Sequence, residues 1–192
     1  MKLGITGGIG CGKSSALEGF RSYGASVIAS DAIVHTLLEK DTQLQTELTD
    51  HFGTRVLNSK ASIDRSALAE IVFNDSNALK WLEDKLHPHV RASSKSFAEA
   101  HVDNLACIEI PLLFEKKLEK HFDFVVCISC SDAVANARLL KKGFSEESIR
   151  LRRTQQLPIA LKISKSDFII ENNGSLEYLN KQCQLLHSRL SS

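Results

Sequence analysis

The sequence predicts an α/β fold in three layers, a mostly parallel sheet covered by helices on both faces, with a helical insert and a pair of basic helices. Three observations carry this. Short apolar runs alternate with helical stretches along the chain, the pattern that crossovers turn into a parallel sheet. The loop Gly7-Gly8-Ile9-Gly10-Cys11-Gly12-Lys13-Ser14 joins the first apolar run to the first helix. After the second run, helical periodicity continues from Ala32 to Val102, too long for a crossover and read as an inserted subdomain.

The elements follow in order. Lys2 to Thr6 is a short apolar strand running into the glycine loop. Ser14 to Tyr23 reads as a helix, with Ala16, Leu17 and Phe20 on one side and Gly24 as its stop. Ala25 to Ala29 is the second strand and ends at Ser30-Asp31. In the helical stretch, Ile33, Leu37 and Leu38 form one apolar stripe, Leu68, Ile71, Val72 and Phe73 a second, and Leu79, Leu82 and Leu86 a third. Breaks are expected at Gly53 and Pro88. Asn104–Ile110 and Phe122–Ile128 read as buried strands, Ser131–Lys142 and Ser145–Gln156 as basic helices. Phe168–Ile170 is a last strand and Ser175–Leu190 a closing helix.

A chain of 192 residues is one domain's worth and can bury a core without staples. Its 43 % hydrophobic and 24 % charged residues exclude a disordered or fibrous chain. No apolar run nears the ~18 residues of a membrane span, and the N-terminus reads as a strand rather than a signal peptide. Five scattered cysteines, an odd number, read as reduced thiols in the cytoplasm. Cys127 and Cys130 form a lone CxxC, read as strand residues and not as a zinc or redox motif. Net charge is +1, so no global case arises for nucleic acid or a membrane surface. Yet Lys116–Lys165 holds 11 Lys/Arg against 5 Asp/Glu, which suits a segment that meets an anion or a solvated helix face.

The glycine loop fits G-x-x-x-x-G-K-S/T in full, follows a strand and opens a helix, the context the motif requires. Glycines let successive backbone N–H groups turn inward as an anion nest, to which the helix N-terminus adds its dipole. Lys13 is placed to reach the outer phosphates of a nucleoside triphosphate and the Ser14 hydroxyl to ligate Mg²⁺. Gly8, Gly10, Cys11, Gly12, Lys13, Ser14 and Ser15 make up the expected nucleotide-binding set, and the fold is expected to be of the P-loop type. Cys11, inside the nest, is a candidate reactive thiol or a small filler.

Asp31 follows the second strand at the carboxyl edge of the sheet, where ligands of open α/β sheets collect. Its carboxylate orients Mg²⁺ or takes the proton of an attacking hydroxyl; the alternative is an N-cap for the helix Ala32–Lys40. Guanine specificity is not supported. Asp50-His51-Phe52-Gly53 has DxxG spacing but lies in the helical insert, and Asn180-Lys181 lacks the following aspartate of NKxD, so adenine is expected. Among the basic residues Arg138, Lys141, Lys142, Arg150, Arg152 and Arg153, Arg138 is the best candidate to meet a migrating phosphoryl group, since its helix leaves directly from a strand. His87-Pro88-His89 is too little for a metal site, and His87 at a helix break reads as a cap or anion ligand.

With these residues in place, the chain resembles the dephospho-coenzyme A kinase family nearly end to end. The resemblance rests on Ile5-Thr-Gly-Gly-Ile-Gly-Cys-Gly-Lys-Ser14, Ser30-Asp-Ala-Ile-Val-His35, His51-Phe-Gly53, Asp64-Arg65, Ala69-Glu-Ile-Val-Phe73 and Leu86-His-Pro88. It continues in Ile110-Pro-Leu-Leu-Phe-Glu115, Arg138-Leu139, Arg152 with Gln156, and Ser166-Asp-Phe-Ile-Ile-Glu-Asn-Asn-Gly174. It implies ATP as co-substrate, Mg²⁺, and phosphorylation of the ribose 3′-hydroxyl of dephospho-CoA, with no nucleic-acid, membrane or obligate protein partner. A single domain over residues 1–192 is implied, with a core near 1–30, 104–130 and 166–192, substrate-binding helices 31–103 and a lid 131–165. By the same resemblance Asp31, Lys13 and Arg138 are catalytic, and Asp31, Arg65, His87, Pro111, Leu112 and Leu113 line the acceptor side. Other phosphotransfer to a small molecule, or nucleotide binding without turnover, are the rival readings. The chain departs from the family pattern at Ala29-Ser30-Asp31, where the first of two acids is missing. It departs again at His35 and Lys142, where arginines are usual and their planar fork is lost.

Overall fold

Five strands, β1 (Lys2–Gly7), β2 (Ser26–Ala29), β3 (Ala106–Glu109), β4 (Phe124–Ser129) and β5 (Phe168–Glu171), form one parallel sheet of order β2-β3-β1-β4-β5 in the computed structural model. It describes residues 1–191; Ser192 and the side chain of Phe73, which the sequence assigns to an apolar stripe, lie outside the described part. The chain divides into two compact units, Met1–Ala29 together with the chain from Phe97 on, and Ser30–Ser96.

In the first unit β1 is central because the strand order reverses around it: β2 and β3 lie to one side, β4 and β5 to the other. Ligands of open parallel sheets bind beyond the carboxyl ends of strands at such a reversal. Alternation sets the two faces. Leu3 and Ile5 of β1, with Val126 and Ile128 of β4, point to one side and pack against α1 (Lys13–Ser22) and α9 (Leu176–Leu190) through Ala16, Leu17, Phe20, Leu179, Cys183 and Leu186. The other face is covered by the end of α5 (Ser76–Glu99), by the segment Ile110–Phe122 and by α8 (Ile159–Lys165). This is the three-layer arrangement expected from the sequence. The basic segment forms α6 (Asp132–Lys141) and α7 (Glu146–Thr154), capped by the Ser131 and Ser145 hydroxyls.

The Ser30–Ser96 unit is helical: α2 (Ser30–Lys40), α3 (Thr42–Phe52), α4 (Arg65–Asn74) and most of α5. Aspartates set the helix starts. Asp41 accepts from Leu44 N–H at 3.0 Å, Asp64 from Ser66 N–H at 2.9 Å and Asp75 from Asn77 N–H at 2.8 Å. Gly53 ends α3 at φ 78°, as the sequence expects. Leu44, Leu48, Phe52, Val56, Leu68, Leu82 and Leu86 make a core of this unit's own, edged by Trp81, whose ring stacks on His51 at 3.7 Å.

Two expectations are corrected. The helix does not break at Pro88: α5 runs through it, so His87 sits mid-helix. Proline removes one ladder donor, the bond to the Asp84 carbonyl, on the exposed side of the helix, while Ala78, Leu82 and Leu86 hold the helix in the core. Secondly, the sequence assigns no element between Gln156 and Phe168, where α8 forms with Pro158 at its N-cap position.

Leu48 is 0 % exposed at the centre of the helical unit. Leu48→Ala is expected to lower that unit's stability by about 2–5 kcal/mol. Urea unfolding followed by the fluorescence of Trp81, the chain's one tryptophan, reads it directly. A loss well under 1 kcal/mol would contradict this core.

Candidate active site

The phosphate loop leaves the carboxyl end of β1 and turns into α1 through three glycines of positive φ, Gly7 (149°), Gly10 (78°) and Gly12 (87°). Gly12, the N-cap of α1, is confined doubly: its φ disfavours any side chain, and a Cβ there would collide with the Asn172 carboxamide. The N–H groups of Ser14 and Ser15 fall in the first turn of α1, where a helix has no internal acceptor to offer them. Lys13 reaches back over the loop, its ammonium 3.1 Å from the Gly8 carbonyl and 3.4 Å from that of Gly7. Gly8, Gly10, Cys11, Gly12, Lys13, Ser14 and Ser15 are thus contiguous about one turn of backbone. The Cys11 side chain is 4 % exposed and belongs to the core beneath the loop, which is the filler reading.

Side chains from distant segments hold this loop. Gln156 Oε1 accepts from the Ile9 N–H at 2.9 Å, so that amide is taken up by protein. The next residue, Leu157, donates its N–H to Glu115 Oε1 at 2.7 Å. Glu115 is paired at 2.9 Å with Lys162, a lysine of 0 % exposure. Lys162 Nζ in turn donates to the Pro111 carbonyl at 2.8 Å, and the same carbonyl lies 3.3 Å from the Thr6 hydroxyl on β1. The chain of contacts leaves the loop at Ile9 and returns at Thr6, one residue before Gly7.

Arg138 on α6 reaches the loop from the other side. Its Nη2 donates to Asn172 Oδ1 at 3.3 Å, and Asn172 Nδ2 donates to the Cys11 carbonyl at 2.8 Å. Its Nη1 is buried, has no hydrogen-bond partner, and lies 3.8 Å from where a Gly12 Cβ would stand. A buried donor without an acceptor is costly, and more so on a cation, unless a ligand supplies the acceptor. The other basic side chains behave differently. Arg153 is engaged by Asn136 at 2.7 Å and Asp132 at 3.3 Å, Arg152 lies over the Phe144 ring at 5.1 Å, and Lys141, Lys142 and Arg150 are exposed.

Among the acceptor-side residues, Pro111 and Leu112 are half-buried in the turn after β3, whereas the Leu113 side chain is 0 % exposed in the core with Phe114 and Val125. In the helical unit Asp31 is exposed and lies one residue inside α2, which starts at Ser30, so the N-cap alternative is set aside. Arg65 is exposed at the first position of α4, His87 is half-buried on α5, and His35 lies 3.7 Å from Glu39. The thiols take no part. Burial pushes Cys107 and Cys183 up to about 12 and Cys127 to about 11, and all five cysteines are free.

Gln156, Lys162 and Asn172 were not given roles from the sequence. Asn172 had a usable signal, since it follows a strand's carboxyl end as Asp31 does. Lys162 had none: one lysine in the run Leu-Lys-Ile-Ser-Lys gives no sign that it is the buried one.

A phosphate loop opening the first helix of a parallel sheet, with a lysine and an arginine converging on it, defines a P-loop phosphotransferase. The fold agrees: shikimate kinase from Bacteroides thetaiotaomicron matches with a TM-score of 0.54 at 14 % identity over 100 % of this chain and 99 % of that one, a likeness of fold alone. The family model of dephospho-CoA kinase, CoaE, matches residues 1–178, and the chain belongs to that family. A dephospho-CoA kinase of Aquifex aeolicus is 34 % identical over 99 % of this chain and 97 % of its own length. The dephospho-CoA kinase from Campylobacter jejuni superposes with a TM-score of 0.73 at 30 % identity, covering 100 % of this chain and 98 % of that one. A Thermus thermophilus protein, TT1252, gives 0.86 at 32 % identity, with 100 % and 98 % covered. The chain is accordingly a kinase of coenzyme A biosynthesis.

Removing one member of a buried ion pair leaves the other uncompensated. Lys162→Met is expected to cost about 3–5 kcal/mol and to lower Tm by roughly 10 °C, measured by calorimetry. An unchanged Tm would show that the Glu115–Lys162 pair holds nothing.

Proposed function

We propose that this chain transfers the terminal phosphoryl group of ATP to the ribose 3′-hydroxyl of dephospho-CoA, giving CoA and ADP. The observation that carries the transfer reading is the buried, unpartnered Arg138 Nη1 beside Gly12 of the phosphate loop. Membership of the dephospho-CoA kinase family supports the acceptor.

Phosphoryl transfer asks for positioning and charge more than for covalent chemistry. Gly8 and Gly10 to Ser15 bind the triphosphate along the backbone of the loop, the Ile9 amide being held by Gln156, with Lys13 over its outer phosphates. Arg138 supplies a guanidinium to the equatorial oxygens of the migrating group. Asp31 accepts the proton of the 3′-hydroxyl as it attacks. Arg65, His87 and the Pro111–Leu113 turn bind the rest of dephospho-CoA, with Leu113 acting through its backbone.

Mg²⁺ fits this loop. The Ser14 hydroxyl, in the first turn of α1 beside Lys13, is the kind of hard oxygen donor this cation takes and would be the protein's ligand, with phosphate oxygens and water completing the shell. Such an ion neutralises phosphate charge when bound. A cytoplasmic setting goes with this reading, in keeping with five free thiols. No helix among the described residues is long and apolar enough to cross a membrane.

Lys13→Ala is expected to lower kcat by about 10²–10³-fold with the fold intact by circular dichroism. Retention of more than about a third of wild-type turnover refutes the lysine's role. Asp31→Asn keeps the shape and removes the proton acceptor. It should lower kcat by about 10²-fold or more while nucleotide affinity stays near normal. Its Tm should move by less than about 4 °C, since only a helix-dipole contact is lost. Nucleotide titration and an assay of CoA formation on one preparation decide it, and full activity in Asp31→Asn overturns the assignment.

A further inference from the structure

Asn172 is 5 % exposed at the carboxyl end of β5, its backbone N–H bound to the Ser129 carbonyl at 2.7 Å. Both ends of its carboxamide are used. Nδ2 donates to the Cys11 carbonyl at 2.8 Å, and Oδ1 accepts from Arg138 Nη2 at 3.3 Å. The partners fix which way the amide faces, because a carbonyl takes only a donor and a guanidinium offers only donors. One side chain therefore ties the phosphate loop to the arginine of α6.

We propose that Asn172 is a positioning residue, which holds the Arg138 guanidinium against the phosphate loop with Nη1 left open for the phosphoryl group in transfer. This rests on the role given to Arg138 above. Two features of the geometry favour positioning over mere bracing of the loop. First, the acceptor is neutral. A carboxylate in that place would satisfy the guanidinium with a strong charge-assisted pair and cancel the charge that transfer needs; a carboxamide orients the group and leaves its charge uncompensated. Arg153, on the neighbouring helix α7, shows the opposite arrangement, with Asp132 at 3.3 Å. Secondly, an arginine has many rotamers, and one already held in place gives up fewer of them when the phosphoryl group arrives. The Asn172 bond engages one side of the guanidinium and the loop backbone stands beside the other, so the open nitrogen stays at Gly12.

The test is a double-mutant cycle on the full chain: wild type, Asn172→Ala, Arg138→Ala and the double variant, each assayed for kcat with saturating ATP and dephospho-CoA and for ATP affinity. Arg138→Ala should lower kcat by about 10²-fold or more, as loss of a transition-state cation does. Asn172→Ala should lower it about 10-fold, and the double variant should match Arg138→Ala within about 2-fold, because an asparagine that acts through the arginine has nothing left to position. If Asn172→Ala lowers kcat by the same factor with and without Arg138, the asparagine is a separate brace and the inference is wrong. If Arg138→Ala turns over like wild type, the arginine's assigned role fails and this inference falls with it. Asn172→Asp provides a second reading that keeps an acceptor for Arg138. By neutralising the guanidinium and facing a carboxylate to the Cys11 carbonyl, it should lower kcat at least as far as Asn172→Ala. Wild-type kcat in Asn172→Asp would overturn the proposal even if the alanine variant failed to fold.

Discussion

Seven residues, Gly7 to Lys13, take the chain from the central strand into the first helix. Three of them hold positive φ, conformations that only glycine adopts without strain, so the loop has little intrinsic preference for its own shape. Its shape has to be imposed from outside. Gln156 holds Ile9, Asn172 holds Cys11, and the Glu115–Lys162 pair ties the turn after β3 to Thr6 at the loop's entrance. Those braces come from the carboxyl ends of β3 and β5 and from the α7–α8 connection. The sheet order makes this possible, since β1 lies centrally and every strand is parallel to it, so the carboxyl ends gather around the loop.

Two cations, one buried and one half-buried, illustrate how environment assigns work to a side chain. Lys162 is fully enclosed, carries a carboxylate partner at 2.9 Å and a carbonyl at 2.8 Å, and is a structural tie. Arg138 is held by a neutral amide and keeps one buried nitrogen without a partner. In a low-dielectric setting a paired charge is compensated and an unpaired one attracts a counter-ion, which for this loop is proposed to be a phosphate. The same physics thus separates the residue that holds the site together from the residue proposed to act on the ligand.

Much of this was legible in the sequence. The strands, the phosphate loop, the helical insert and both basic helices follow from periodicity and glycine placement, which are local signals. Asp31 and Arg138 were singled out because each follows a strand's carboxyl end. What stayed hidden is non-local. Lys162 and Glu115 lie 47 positions apart and Asn172 is 161 residues from Cys11, and no pattern in one sequence pairs them. Pro88 misled for a related reason. Its local rule predicts a break, but the apolar residues before it, Ala78, Leu82 and Leu86, are anchored in a core that the rule does not see.

The account's central claim is that this loop and its arginine serve transfer to an acceptor, and not storage or idle hydrolysis of a nucleotide. ADP release from the purified chain with MgATP, measured with and without dephospho-CoA and matched to the mass and position of phosphate on the product, tests it most directly. ADP formation that depends on dephospho-CoA, in equal amount to a product phosphorylated on the ribose 3′-hydroxyl, is the expected result. ADP release at the same rate without the acceptor, or no release with it, would contradict the account.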